Sequence, residues 1–247
     1  MNQYLHFFLT TSLIAGLSAC TTMDDPDPLE PYNRAMFKVN KTTDKYVVKP
    51  VAEMYAAVTP RPARIGVTNF FQNLDDIPTA LNGYLQGKPS QGLSDTFRFF
   101  VNSTFGVIGL FDVATHMGLP RHHADFGQTF GIWGIKESPY FVIPLLGPST
   151  LRDATGLFFE AYLEIWPWID ADDWRYALLG LEIINYRANL LDSEAIVDAA
   201  AFDEYIFFRD AYLQKRKALI EGDATEDDWQ EIFNYEQDTE NTENNEQ

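Results

Sequence analysis

Cys20 is the residue with the clearest covalent chemistry. It is the only cysteine among 247 residues, so the chain has no intrachain disulfide to form. It follows an apolar run from Leu5 to Ala19, and Leu17-Ser18-Ala19 directly precede it. A short apolar stretch ending in small residues is the layout of a secretory signal, not of a spanning helix. Leu-Ser-Ala-Cys has the form of a bacterial lipobox. That form predicts cleavage before Cys20, a diacylglycerol thioether on its sulfur and an acyl chain on the new amine. An ordinary signal peptide with a coincidental cysteine is the competing reading; a thiol consumed by lipid explains better why no second cysteine is present. Each buried methylene contributes about 0.8 kcal/mol, and one acyl chain alone holds only marginally, so two or three chains on one residue anchor firmly.

The remaining candidates for chemistry are weaker. His116, His122 and His123 cluster, but with no Cys partner and a Gly-rich neighbourhood they read as surface or capping residues more readily than as metal ligands. Gly147-Pro148-Ser149 lacks the second glycine of a nucleophile elbow. Asp75-Asp76 and Asp172-Asp173 read as helix-start residues rather than as an acid–base pair. No phosphate-cradling glycine loop is present. The sequence therefore offers no foothold for an enzyme, and no metal or cofactor is expected.

Composition narrows the class further. From Cys20 onward about 228 residues remain, enough for one sizeable core. Apolar residues make up 46% and aromatics 15%, within the globular range. The formal charge is −18, yet Glu221 to Gln247 alone carries eleven acids and no bases, leaving 25 acids against 18 bases elsewhere. Beyond Lys215-Arg216-Lys217 there is no basic run, which argues against nucleic-acid binding. No stretch of the mature chain approaches the ~18 unbroken apolar residues of a spanning helix.

The elements that must position these residues read as helices throughout, so the expected fold class is all-α. Residues 1–19 form the signal and 20–30 a polar tether with Pro26 and Pro28. The folded domain is expected over 31–221, followed by an acidic, mostly disordered tail at 222–247. Pro31 opens the first helix, and a second carries Val47, Val51, Met54, Tyr55 and Val58. Ala63–Leu74 and Ile77–Leu85 read as two helices separated by Asp75-Asp76 and Pro78. Ser94 reads as the N-cap of a helix carrying Phe97, Phe100, Val101, Phe105 and Ile108 on one face, widened by Phe99, Val107 and Leu110. A helix apolar on more than one side is either deeply buried or meets lipid, and in a chain this short lipid contact is the favoured reading. Residues 112–138 read as irregular. Tyr140 to Pro148 reads as an apolar loop, because Pro144 argues against a central strand. Further helices are expected from Ser149 or Thr150 to Trp166, from Asp172 to Leu191, and from about 194 to 221. The last one is stopped by Gly222, with Lys215, Arg216 and Lys217 at the negative end of its dipole.

Ordered blocks along the chain resemble the MlaA (VacJ) lipoprotein family. They include Asp27-Pro28-Leu29-Glu30-Pro31-Tyr32-Asn33-Arg34, Pro62-Ala63-Arg64, Asn69-Phe70 with Asn73-Leu74, and Leu85-Gln86-Gly87-Lys88-Pro89. They continue through Arg98–Thr104, Gly109–Ala114, Asp125–Thr129, Pro139–Val142 and Gly147–Asp153. Tyr186-Arg187-Ala188, Leu190-Leu191-Asp192 and Arg209-Asp210-Ala211-Tyr212 complete the series. The resemblance spans about residues 27–217. It implies a ring of amphipathic helices lying in the inner leaflet of the outer membrane, with a central channel. Phospholipids misplaced in the outer leaflet would pass through it to a soluble periplasmic carrier, MlaC, maintaining lipid asymmetry, with trimeric porins as membrane partners. Thr21 after the cysteine, where an Asp commonly retains a lipoprotein in the inner membrane, agrees with outer-membrane sorting.

Within that frame the block Tyr140 to Asp153 is the expected channel wall or gate, with Tyr140, Phe141, Pro144, Gly147, Pro148, Arg152 and Asp153 as its residues. Arg152 is open to two roles: meeting a lipid phosphate, or pairing with Asp153 to hold a helix start. A lipoprotein that braces porins without moving lipid is the alternative function.

Overall fold

The computed structural model describes residues 27–135, 138–163, 172–191 and 203–222. Cys20, the signal, most of the tether and the acidic tail lie outside the described residues, as do 192–202, where the last helix was expected to begin. The described chain is helical with one small hairpin, in agreement with the all-α expectation.

Helix α1 (Glu30–Thr43) opens with Pro31 in its first turn, where the missing N–H costs nothing. A π-helical turn (Asp44–Val48) leads into α2 (Lys49–Val58). Helix α3 (Arg61–Leu85) is continuous through Pro78, where the sequence suggested two helices. The correction is tertiary. One face of α3 buries Phe71, Asn73, Asp76, Thr79, Ala80, Asn82 and Gly83, and this outweighs the one backbone bond that a proline removes. Asp75 and Asp76 are therefore mid-helix residues, not helix-start residues.

Helix α4 (Pro89–Thr104) begins five residues before Ser94, again with proline in its first turn, and ends before Ile108. It packs closely on α3 because two glycines face each other: a Cβ on Gly83 would lie 3.0 Å from the Gly92 nitrogen. Two short helices, α5 (Val113–His116) and α6 (Phe126–Ile132), occupy the stretch that reads as irregular, capped by Asp112 and Asp125.

The expected loop at Tyr140–Pro148 is an antiparallel hairpin, β1 (Tyr140–Ile143) against β2 (Gly147–Thr150), with Val142 opposite Pro148. Pro144 lies in the turn and Pro148 in a two-stranded ladder, which has only edges and so tolerates proline. Helix α7 (Leu151–Leu163) follows directly. Helix α8 (Asp172–Asn189) starts where the sequence places it, and α9 (Glu204–Glu221), capped by Asp203, stops at left-handed Gly222. Arg216 is not a dipole partner at the end of α9; it is buried one turn earlier and bonded to two carboxylates.

Neighbouring elements close on themselves. Helix α1 leads through the π turn to α2, which packs on α8; α8 packs on α3, and α3 on α6 and α7. Helix α6 then meets α9, α9 meets β2, and β1 returns to α1.

Candidate functional site

The interior of this circuit is polar. Among the described residues, nine apolar residues are buried against seventeen polar or charged ones, the reverse of a water-soluble domain's interior. Each buried polar group then needs a partner, and three nodes bring together eight of the seventeen.

The first node is Arg98, fully enclosed on α4. Its Nη2 donates to both oxygens of Asp112 at 3.1 and 3.0 Å, and Nη1 to Thr115 Oγ1 at 2.9 Å and Leu119 O at 2.5 Å. Asn102, one turn along the helix, donates to Asp112 Oδ1 at 3.0 Å and accepts the Ala114 N–H at 2.9 Å. Burial raises the Asp112 carboxyl, but the Thr115 hydroxyl bond and the Arg98 charge outweigh it and hold the group below the usual carboxylate range. Asp76 of α3 lies 3.7 Å from Arg98 Nε. Its desolvation exceeds the pull of Arg121 and Arg98 and pushes its pKa up to about 7.

The second node joins α6, α7 and α9. Arg216 donates to Asp125 at 2.5 and 2.8 Å and to Asp153 Oδ1 at 2.9 Å. Arg152 and Tyr212 also reach Asp153, at 2.8 Å each. Burial raises the Asp153 carboxyl; the Arg216 and Arg152 charges then bring it below its ordinary value. The third node is Asp27, which accepts from Asn33 at 2.7 Å and from the Tyr205 hydroxyl. Burial, and next the bond to Asp27, push the Tyr205 phenol up.

The exterior is correspondingly apolar. Phe97, Phe100, Phe105, Ile108 and Phe111 are exposed along and beyond α4, and Leu145 and Leu146 project from the hairpin at 69% and 73% exposure. Phe158 and Tyr162 extend the same character along α7. Exposed apolar surface on this scale marks contact with lipid or protein. None of the described helices is long and apolar enough to cross a membrane.

Of the residues singled out in the hairpin block, Tyr140 is fully buried, with Val142 and Tyr205. Phe141 stacks on Tyr32 at 5.4 Å, Pro144 is exposed in the turn, and Gly147 has φ +102. Pro148 is half-buried in β2. Arg152 and Asp153 are buried; the Arg152 guanidinium bonds Asp153 and, through Nη1, Ile135 O at 3.2 Å. The histidines are separate in role: His116 Nδ1 meets Asp112 O and His122 Nδ1 meets Asp95 Oδ1, each at 2.9 Å. Among the described residues no group of three or more His, Cys, Asp or Glu side chains is arranged to hold a metal.

A model of the MlaA lipoprotein family matches residues 25–219. The chain belongs to the MlaA lipoprotein family. It is 35% identical over 222 residues to the intermembrane phospholipid transport system lipoprotein MlaA of Escherichia coli K12 and to that of Shigella flexneri, covering 87% of both partners in each pairing. The MlaA lipoprotein of Haemophilus influenzae is 30% identical over 220 residues, with 83% of this chain and 87% of the relative covered. A chain solved in work on the "Structural basis for maintenance of bacterial outer membrane lipid asymmetry" superposes with a TM-score of 0.69 at 36% identity, covering 78% of this chain and 98% of that one. The fold is the ring-like helical fold of the MlaA structure.

Sequence reading missed Asn33, Asp76, Arg98 and Arg216 as the frame of the interior. A signal for Arg98 was present: a lone cation and an amide four residues apart, Arg98 and Asn102, on a helix otherwise rich in phenylalanine. Asp125 and Arg216 lie 91 residues apart, and no periodicity links them.

Proposed function

We propose that this protein is an acylated outer-membrane lipoprotein that removes phospholipid from the outer leaflet and passes it through a polar passage in its helical ring to a periplasmic carrier. The inverted distribution of side chains supports this most: apolar groups outside suit lipid tails, and charged groups inside suit a wet phosphate. Relatives named as intermembrane phospholipid transport lipoproteins support the substrate class. Cys20 carries the anchor. The carrier is of the MlaC type and the membrane partners are trimeric porins. The Tyr140–Asp153 block contributes part of the passage wall, with Leu145 and Leu146 against tails and the Arg152–Asp153 pair fixing the start of α7.

Purified acylated protein in vesicles of phosphatidylethanolamine and phosphatidylglycerol, with labelled phospholipid and soluble carrier, tests the reading. Intact labelled lipid arriving on the carrier supports transfer. Folded protein that delivers none supports bracing of porins, and cleaved lipid supports a hydrolase.

A further inference from the structure

Arg64 lies at the junction of α2, α3 and α8, apart from the three nodes above. Arg98, Arg121, Arg152, Arg187, Arg209 and Arg216 each sit within ion-pair distance of a carboxylate. Arg64 does not: among the described residues its side chain meets only the Ala188 carbonyl, at a long 3.4 Å from Nη1. Its Nε is buried and without an acceptor, as are Arg98 Nε and Arg216 Nε, so the missing carboxylate is what sets the half-buried Arg64 apart. A buried N–H without an acceptor is costly, and a chain this acidic supplied carboxylates to the six arginines named above.

Four neutral side chains at this junction bond one another and not the guanidinium. Tyr55 Oη donates to Asn185 Oδ1 at 3.0 Å, and the Asn185 and Asn189 amides donate to Thr68 Oγ1 at 2.8 and 2.9 Å. The Thr68 hydroxyl in turn donates to Arg64 O at 3.0 Å. Burial raises the Tyr55 phenol, and the Arg64 charge opposes part of that rise. Among the described residues no carboxylate forms an ion pair with Arg64, which leaves the fork of its guanidinium available to a phosphate, a group it fits with two parallel bonds. Around the seam, Met54 and Val58 of α2, Ile65 of α3 and Leu190 are exposed. The junction thus combines one unneutralised cation with an apolar surround, the chemistry of a headgroup beside its tails.

We propose that Arg64 binds the phosphate of a phospholipid headgroup, as a contact point on the route of the lipid; this rests on the transport reading above. Arg64→Gln removes the charge while keeping a polar side chain, and Arg64→Lys keeps the charge but not the fork.

Binding of dihexanoylphosphatidylglycerol, dihexanoylglycerol and inorganic phosphate to the full-length protein in detergent tests it. The phospholipid should bind roughly tenfold more weakly to Arg64→Gln and severalfold more weakly to Arg64→Lys, while dihexanoylglycerol binds all three proteins alike. Unchanged phospholipid affinity in folded Arg64→Gln overturns the site and leaves the transport reading standing. If Arg64→Gln does not fold, wild-type affinity in Arg64→Lys overturns it. Inorganic phosphate bound by wild type as tightly as the phospholipid overturns the headgroup assignment in favour of free phosphate. Failure of the wild type to bind phospholipid at all removes both proposals.

Discussion

Asn33 completes the hydrogen bonding of Val142. Its Oδ1 accepts the Val142 N–H at 2.9 Å and its Nδ2 donates to Tyr140 O at 3.1 Å, so one side chain on α1 replaces a third strand beside β1. Two turns on, Asn40 does the same for Leu145 N–H at 2.7 Å and Ile143 O at 2.9 Å. The outer edge of a two-stranded hairpin would otherwise leave these groups unpaired. A hairpin that is marginal by itself is thereby fixed to the first helix of the circuit.

Asn33→Leu leaves the Val142 N–H, Tyr140 O and one Asp27 oxygen without that partner inside the protein. The loss should be about 2–4 kcal/mol of unfolding free energy, read from denaturant midpoints at constant slope. Asn40→Leu acts where water reaches the turn and should cost under about 1.5 kcal/mol. Equal shifts for the two would show that burial at Asn33 is not what matters.

Asp76 makes stability fall as pH rises toward neutrality. Its carboxyl is pushed up to about 7 in the folded chain, while an unfolded aspartate titrates near ~3.9. Between those values the folded state holds a proton that the unfolded state has released. The contribution is therefore fully present below about pH 4 and is lost as pH rises through about 7. Asp76→Asn should flatten unfolding free energy between pH 5 and 8. The acid limb, set by Asp112 and Asp153 whose carboxyls are held low, should stay. A variant with the wild-type slope would assign that slope to another group.

The helices were legible because apolar spacing and first-turn prolines are local signals: Pro31 marks a real start. Pro78 misled, since its cost is outweighed by burial against a helix that no local pattern reveals. The hairpin was hidden for a similar reason. Pro144 and Pro148 disfavour a strand in general, and only the amides of Asn33 and Asn40, more than a hundred residues away, supply the missing ladder. The apolar exterior was readable from the phenylalanines of α4. The polar interior was not, because its pairs, such as Asp27 with Tyr205, join residues at opposite ends of the chain.

Phe97 and Phe105 are 53% and 75% exposed and contribute little to the interior. Phe97→Ser and Phe105→Ser should each change unfolding free energy in detergent by no more than about 0.5 kcal/mol. Each should weaken vesicle partitioning by about 1.5–3 kcal/mol, the value of burying such a side chain. Flotation with phosphatidylglycerol-containing vesicles measures this in a Cys20→Ala background, so that acylation does not mask it. Unaltered flotation would place these rings away from the bilayer.

Beyond α4, Val107 and Ile108 hold φ of 54° and 58°, followed by Gly109 at 87°. Left-handed backbone costs an ordinary L-residue about 1–2 kcal/mol, and β-branched residues adopt it with the most difficulty. Ile108 is 66% exposed, so its side chain does not repay this within the chain. The turn is fixed by Ile108 N–H on Ser103 O at 3.1 Å and Gly109 N–H on Asn102 O at 2.9 Å. Ile108→Gly keeps both bonds and relieves the strain, at an unfolded-state entropy cost of roughly 0.5–1 kcal/mol. The variant should therefore be more stable in detergent by about 0.5–1 kcal/mol, a rise of roughly 1–4 °C in melting temperature. It should bind vesicles less well, because the isoleucine that strains the turn also presents an apolar side chain outward. A variant that melts lower would mean that Ile108 packs within the chain, and the strain would then need no membrane to explain it.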